Sequence, residues 1–294
     1  MVKLNVLVTG ANGFIGKSLI DSLEQHRYNI FAFDNKNDQS FDRSRITKIF
    51  IQDISLPFQL QETFDYVFHL AALNVTHVDK ASYKDYHRIN VVGTQNLIKA
   101  AHTKKFIFMS TAKVYQKKGE DITEDSLIAP EGDYEKSKFA AEEICRRSLG
   151  PEQLVILRPV NIVGPGQAGK AVLPVFFRNA IENKLIDVFA PRKSILQFLY
   201  IDDVVRLFKM LLEKKSVSGV FNLSSLDHIS LEELAQKIVQ MTGSRSIVKF
   251  SNSAEISFGK VISQKVKGIL GWRAQVTIED MLYNYYASLR KNEK

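Results

Sequence analysis

The chain has only one cysteine, Cys145, so neither an intrachain disulfide nor a cysteine-rich metal site can form. That usage suits a reducing cytoplasm, and no metal is expected. No apolar run approaches the ~18 residues that span a bilayer, so a membrane segment is not expected. The apolar start is short and ends in a glycine turn, which is not the pattern of a cleavable leader. No repeat or low-complexity linker divides the sequence. The net charge is +8, yet no basic run is interleaved with aromatics and no nucleic-acid module is present. Nucleic acid is therefore not an expected partner; a solvated basic surface, compatible with anionic small ligands, is the reading. The remainder is ordinary for a globular protein, with 45% hydrophobic and 24% charged residues over 294 positions. That length can bury a large core in one domain or in two joined ones.

The most informative stretch opens the chain. Val2–Val8 alternates and then turns solidly apolar, as a buried parallel strand does. It runs into Gly10-Ala11-Asn12-Gly13-Phe14-Ile15-Gly16. Gly10 permits the tight turn, Gly13 lets the backbone approach a pyrophosphate, and Gly16 lets the next helix pack on the sheet. The helix N-terminus then offers unpaired N–H groups to the anion. The spacing differs by one residue from the commoner Gly-x-Gly-x-x-Gly, so context carries the reading of a dinucleotide site. Part of that context is Asp34, at the end of the second predicted strand. A carboxylate there can accept both adenosine ribose hydroxyls and repels a 2′-phosphate, which favours NAD over NADP. Lys36, Arg43 and Arg45 follow closely and temper that preference, and a turn-starting aspartate is the plainer alternative. Asp53-Ile54, after the third strand, is placed to meet the adenine edge or simply to cap a turn.

Strand and helix patterns alternate through the first half. A helix is predicted over 13–25, strands at 29–33, 48–51 and 65–70, and a long helix over 82–103. A strand at 105–109, a helix over 133–148 and a strand at 153–157 follow. Parallel strands with crossover helices satisfy this order, hence an α/β fold with a doubly wound parallel sheet. After Pro159 the character changes. Helices are expected over 171–183 and 202–213, strand-like pieces at 185–189 and 195–200, and a strand at 219–223 that rejoins the sheet. Segments 230–242, 255–270 and 277–290 read as a smaller, mostly helical C-terminal substrate part. The expected division is 1–163 with 195–225 for the cofactor, and 164–194 with 226–294 for the substrate.

Tyr134 and Lys138 stand four apart, one turn along the same helix face. A tyrosine with pKa near ~10 is a poor base at neutral pH. The Lys138 ammonium, with a positive nicotinamide ring, is expected to lower that value, so that Tyr134 can exchange a proton with a substrate hydroxyl. Upstream, the fifth strand ends in Met109-Ser110-Thr111, where the crevice of such sheets lies, and Thr111 can bond the same substrate oxygen.

With these motifs the chain resembles the extended short-chain dehydrogenase/reductase family, in its nucleotide-sugar epimerase/dehydratase group. The likeness includes Thr9–Gly16, Phe68-His69-Leu70-Ala71-Ala72, Asn90-Val91-Val92-Gly93-Thr94 and Met109–Tyr115. It continues through the Tyr134/Lys138 pair, Leu157–Gly166, Phe198–Val204 and Leu270-Gly271-Trp272. The resemblance implies a Rossmann-like fold, with Thr111, Tyr134 and Lys138 as catalytic residues. It makes Asn90 the support of the lysine's proton path, and Leu70, Ala71 and Ala72 the loop lining the cofactor. Pro159 would stand beside the nicotinamide and Asn161 would contact substrate. His69, although a tempting acid/base, precedes that loop on the fourth strand and is read as structural.

The residues after Thr111 discriminate among the group's reactions. Family dehydratases and decarboxylases carry an acidic residue there, whereas this chain has Ala112 and Lys113. Epimerases acting beside a ketone need a second acid/base, often a cysteine, but Cys145 lies too far along its helix and reads as a packing residue. Redox at C4 of the sugar remains. A 4-epimerase with tightly held NAD is favoured by Asp34. A 4-ketoreductase using exchangeable NAD(P)H is favoured by Ser110-Thr111-Ala112-Lys113-Val114, which resembles reductase-like members. A cofactor-binding sensor or scaffold is the reading from another class, although such proteins generally lose the Tyr or Lys. The arginine that grips the diphosphate in these epimerases is replaced by Leu196, and a second, expected between 250 and 256, is missing. Lys170, Arg178, Arg192 or Lys193 are the cations expected to hold the diphosphate instead, and Lys113 is expected to contact the substrate. Family members often dimerise through the helices at 82–103 and 133–148, so a homodimer is expected.

Overall fold

A computed structural model of the chain describes residues 2–36, 42–74, 81–167, 170–188, 194–250 and 258–291. Its first half runs β1 (Leu4–Thr9), α1 (Phe14–Ser22), β2 (Tyr28–Asp34), β3 (Lys48–Ile51) and β4 (Thr63–His69). A continuous helical stretch over 83–100 follows, made of α2 (Tyr83–Tyr86), a π-helical turn (His87–Val92) and α3 (Gly93–Ala100). Then come β5 (His102–Met109), α4 (Asp133–Ser148), β6 (Leu154–Pro159) and β7 (Asn161–Val163). The second half contains α5 (Val172–Ile181), β8 (Ile186–Val188), β9 (Ile195–Leu196), β10 (Phe198–Tyr200), α6 (Ile201–Glu213) and β11 (Gly219–Leu223). It closes with β12 (Ile229–Ser230), α7 (Leu231–Thr242), β13 (Val248–Phe250), α8 (Gln264–Leu270) and α9 (Ile278–Lys291).

Seven strands form one parallel sheet in the order β11-β6-β5-β4-β1-β2-β3. Its central strands are apolar on both faces, which only a sheet covered by helices on both sides tolerates. The doubly wound, Rossmann-like sheet is therefore present, and the strand at 219–223 does rejoin it, beside β6. Strand order reverses between β1 and β4, the place where such sheets open a crevice at their carboxyl ends. The register keeps those ends level: Thr9 lies opposite Phe33 and His69, and His69 opposite Phe108.

The remaining strands make two-stranded pairs, β7 with β10, β8 with β13 and β9 with β12. Asp203, in the first turn of α6, ties the C-terminal segment to the sheet-bearing part. Its carboxylate accepts the backbone N–H groups of Gln275 and Val276, and the buried Trp272 indole donates to its carbonyl.

Several boundaries differ from expectation, among them the end of α1, at Ser22 and not 25. The helix predicted to 103 stops at Ala100, because His102 and Thr103 pair in register with Thr63 and Phe64. The piece at 195–200 is split at Gln197, whose buried amide both donates to and accepts from the Val261 backbone. The helix expected over 255–270 is present only from Gln264; residues 251–257 lie outside the described residues. Ahead of it, residues 260–262 run extended and exchange backbone hydrogen bonds with Ile122.

Candidate active site

The three glycines after β1 converge on one backbone oxygen. Gly10 has φ +66°, and a Cβ on it would sit 2.9 Å from Ala71 Cα. A Cβ on Gly16 would stand 2.2 Å from the Gly10 carbonyl oxygen, and one on Gly13 at 3.0 Å. Gly16 is thus required by the turn itself, and not, as expected from sequence, by packing of the helix on the sheet. The turn delivers the chain to the start of α1, where the amides of Phe14, Ile15 and Gly16 have no intrahelical acceptor. These residues, with Gly10, Asn12 and Gly13, line a cleft of about 1130 Å³. That exceeds the usual ~300–1,000 Å³ of a single small-ligand pocket and leaves room for two ligands side by side. A pyrophosphate fits this cradle.

Asp34 ends β2 at the wall of the same cleft. One of its oxygens accepts the Asn12 N–H at 2.9 Å and the other the Lys36 N–H at 3.2 Å, so the carboxylate is held in place with acceptor capacity to spare on both. Of the cations that tempered its reading, Lys36 lines the cleft and Arg43 and Arg45 do not; Arg45 donates to the Leu23 carbonyl. Asp53 and Ile54 also reach the cleft. The Asp53 carboxylate, however, accepts from the Ser55 backbone and hydroxyl and pairs with Arg88, which is the turn-capping arrangement. Ile54 is seated because Gly93 lacks a Cβ, which would approach it to 2.8 Å.

Leu70, Ala71 and Ala72 line the cleft after β4. The N–H groups of Leu70 and Ala71 both donate to Thr9 Oγ1. The Thr9 hydroxyl is then free to donate to His69 Nδ1, and His69 Nε2–H to Thr94 Oγ1, each at 2.8 Å. Thr94 in turn donates to the Asn90 carbonyl. Burial, with the Lys138 charge, pushes His69 down to about 3, so it stays neutral within this chain of bonds and serves structure. Asn90 is buried and does not line the cleft. Its amide accepts from Leu73 N–H and donates to the Leu73 carbonyl and to Ser137 Oγ. Its side chain therefore steadies the loop and α4.

Thr111, Tyr134, Lys138 and Pro159 all line the cleft. Thr111 lies two residues beyond β5 and caps a short 3₁₀ turn, accepting the Lys113 N–H. Tyr134 sits in the first turn of α4, its ring edge-on to Tyr86 at 5.9 Å. Lys138 Nζ lies 4.4 Å over the Phe108 ring. The phenol is pushed above its ordinary value by burial, and further by the Glu135 carboxylate and Tyr86. Burial likewise lowers Lys138 to about 8. The expected lowering of the tyrosine is therefore not met by the protein's own groups, since burial, Glu135 and Tyr86 all act upward.

At the substrate end, Lys113, Asn161 and Lys170 line the cleft, with Leu196 where an arginine was looked for. Arg178 does not: it lies on the exposed face of α5, because the opposite face carries Leu173, Phe176, Phe177 and Ala180 into the core. Arg192 and Lys193 lie outside the described residues, as does most of the 250–256 segment. Cys145 is buried and away from the cleft.

Sequence reasoning missed a buried network behind Thr111. Glu142 is 0% exposed and Arg158 3%. Arg158 donates to both Glu142 oxygens, at 2.9 and 2.6 Å, and to the Tyr115 hydroxyl at 2.7 Å. Ser110 Oγ donates to Glu142 and Tyr115 to Asn222 Oδ1. The signal was available: Arg158 interrupts the apolar strand Leu154–Pro159, and a charge there demands a buried partner.

Residues 6–224 match the sequence model of the NAD dependent epimerase/dehydratase family. The chain is 32% identical over 305 residues to the dTDP-D-glucose 4,6-dehydratase of Homo sapiens, covering 92% of this chain and 85% of that one. It is 30% identical to the enzyme of that name from Dictyostelium discoideum, of whose length it spans 62% (81% of this chain). With the dTDP-4-dehydro-6-deoxyglucose reductase of Escherichia coli it shares 28% identity over 98% of both. Among solved structures it is similar to a UDP-glucuronic acid 4-epimerase from Bacillus cereus in complex with NAD, with TM-score 0.87, 26% identity, and 99% and 100% of the two chains covered. The chain belongs to the NAD-dependent epimerase/dehydratase family, whose members are extended short-chain dehydrogenase/reductase enzymes acting on nucleotide sugars.

Proposed function

We propose that the chain is an NAD-dependent nucleotide-sugar 4-epimerase. The observation that carries this reading is Ala112-Lys113 at the cleft wall directly after Thr111, where no carboxylate stands to assist loss of water or CO₂. Gly10, Gly13, the α1 amides and Asp34 would hold the dinucleotide, with Leu70, Ala71, Ala72 and Pro159 against it. The bound cofactor supplies the hydride acceptor and donor for C4 and a positive charge near the phenol. Thr111 and Tyr134 hold the sugar O4, and Tyr134 takes its proton and later returns it. Lys138, kept cationic, favours the phenolate. Lys113, Asn161 and Lys170 contact the sugar and diphosphate. Replacing Asp34 by Ser is expected to weaken NAD about 10–100-fold, the worth of a charge-assisted hydrogen-bond pair, and to raise the NADP to NAD preference; cofactor titration by fluorescence checks both.

The likeness of Ser110–Val114 to reductase-like members supports the second reading, a 4-ketoreductase. Mass spectrometry of nucleotide released from denatured protein, followed by incubation with UDP-glucose, UDP-glucuronic acid and dTDP-glucose, tests the choice. Copurified NAD and interconversion of C4 epimers are expected. An empty site that consumes NADPH with a 4-keto sugar overturns the epimerase, and bound cofactor with no turnover favours the sensor. A homodimer through the 83–100 and α4 faces belongs to the same proposal, read by light scattering. No helix among the described residues is long and apolar enough to cross a membrane.

A further inference from the structure

We propose that Glu142 is a positioning residue for the reacting centre: its buried carboxylate keeps Lys138 cationic and pins the strand ends that present Thr111 and Pro159. The inference rests on the reading of Lys138 given above. Glu142 stands four residues after Lys138, one turn along the same face of α4. Its oxygens bind Arg158, which precedes Pro159, and Ser110, which precedes Thr111. Arg146 adds a further bond from the rim at 2.8 Å. One carboxylate thus joins the ends of β5 and β6 to the helix that carries Tyr134 and Lys138. Through Arg158 and Tyr115 the same network reaches Asn222 on β11.

The groups around Lys138, among the described residues, leave Glu142 as its working counter-charge. From β5 comes the Phe108 ring, and from β4 the neutral His69. On its own helix stand Tyr134, Cys145 and Glu142. Burial lowers Lys138 to about 8, opposed by Cys145 and by Glu142. Burial also pushes the Cys145 thiol up to about 12, so it carries no charge where the ammonium titrates. Although burial pushes Glu142 upward, its bonds to Arg158 and Ser110 hold it below the usual carboxylate range. It is therefore anionic throughout the window in which Lys138 gains or loses its proton.

The test is an NMR titration of the full chain labelled at lysine ¹³Cε, with the Lys138 signal assigned by its loss in Lys138→Arg. Surface lysines titrate near ~10.4, well clear of it. Glu142→Gln is expected to move the Lys138 midpoint down by about one pH unit, because the ammonium loses its anion and keeps Arg158 nearby. Glu142→Asp, which preserves the charge, is expected to stay close to the wild-type midpoint. Should Glu142→Gln fail to fold, the double variant Glu142→Gln/Arg158→Met removes both charges and still lowers the midpoint, by less. A midpoint unmoved in the Gln variant or the double variant overturns the proposal, as does an equal shift for Asp and Gln. The alkaline limb of kcat should track the midpoint. If the midpoint moves and kcat does not follow, the role of Lys138 in the proposed reaction fails while the assignment of Glu142 stands.

Discussion

Tyr134→Phe should lower kcat about 10²–10⁴-fold on whichever nucleotide sugar the protein turns over, the usual worth of a positioned proton-transfer group. The ring remains, so the packing against Tyr86 and the start of α4 are kept, and cofactor retention should be close to wild type. Only the phenolic oxygen is removed. Single-turnover kinetics with cofactor reduction followed at 340 nm separates the outcomes. A variant that binds and turns over at the wild-type rate excludes this phenol from the reaction. Burial holds the Tyr134 phenol above its ordinary value in the protein alone, so in the proposed reaction the charge that arrives with the cofactor brings it down. The ionisation of Tyr134, followed by ultraviolet difference spectra, should therefore shift to lower pH on addition of NAD.

Arg158→Met should be the most destabilising single change near the site. It leaves Glu142, wholly buried, without its main partner. Breaking such a pair costs about 3–5 kcal/mol, and the low end is expected here because Arg146 still reaches Glu142. The fall in Tm should be on the order of 10 °C, read by calorimetry without added ligand. Glu142→Gln/Arg158→Met should recover more than half of the loss, because neither charge is then stranded in the interior. A single variant as stable as wild type would mean that water or another cation compensates Glu142.

Much of the glycine-turn end of the cleft was legible in the sequence because its signals are written in short stretches. The Gly10–Gly16 turn, Asp34 at a strand end and the Leu70-Ala71-Ala72 loop each show a recognisable local pattern and each does line the cleft, although Thr9, Asn12 and Ala71 fix them from distant parts of the chain. The substrate end was legible only in part: Lys113, Asn161 and Lys170 do line the cleft. Arg178 looked available as a phosphate contact, yet helix α5 turns that position to solvent, since four apolar residues claim its other face. The partners of the Asn90 amide, Leu73 and Ser137, come from a loop and a helix far along the chain and could not be read from its own stretch. A side chain's type can be read from sequence, but its direction follows from which face of its element finds the core.

The pattern of alternating apolar strands and helices, with one glycine turn at the start, sufficed to specify a doubly wound parallel sheet and a crevice at its carboxyl ends. Periodicity and backbone sterics act over short range, so they are written in consecutive residues. The ionisation of the site was decided only in three dimensions. Desolvation raises Tyr134 and lowers Lys138, and Glu142, Arg158 and Ser110, from three separate elements, meet behind Thr111. Electrostatic energy depends on distance and on how much water remains, and the folded chain alone sets both.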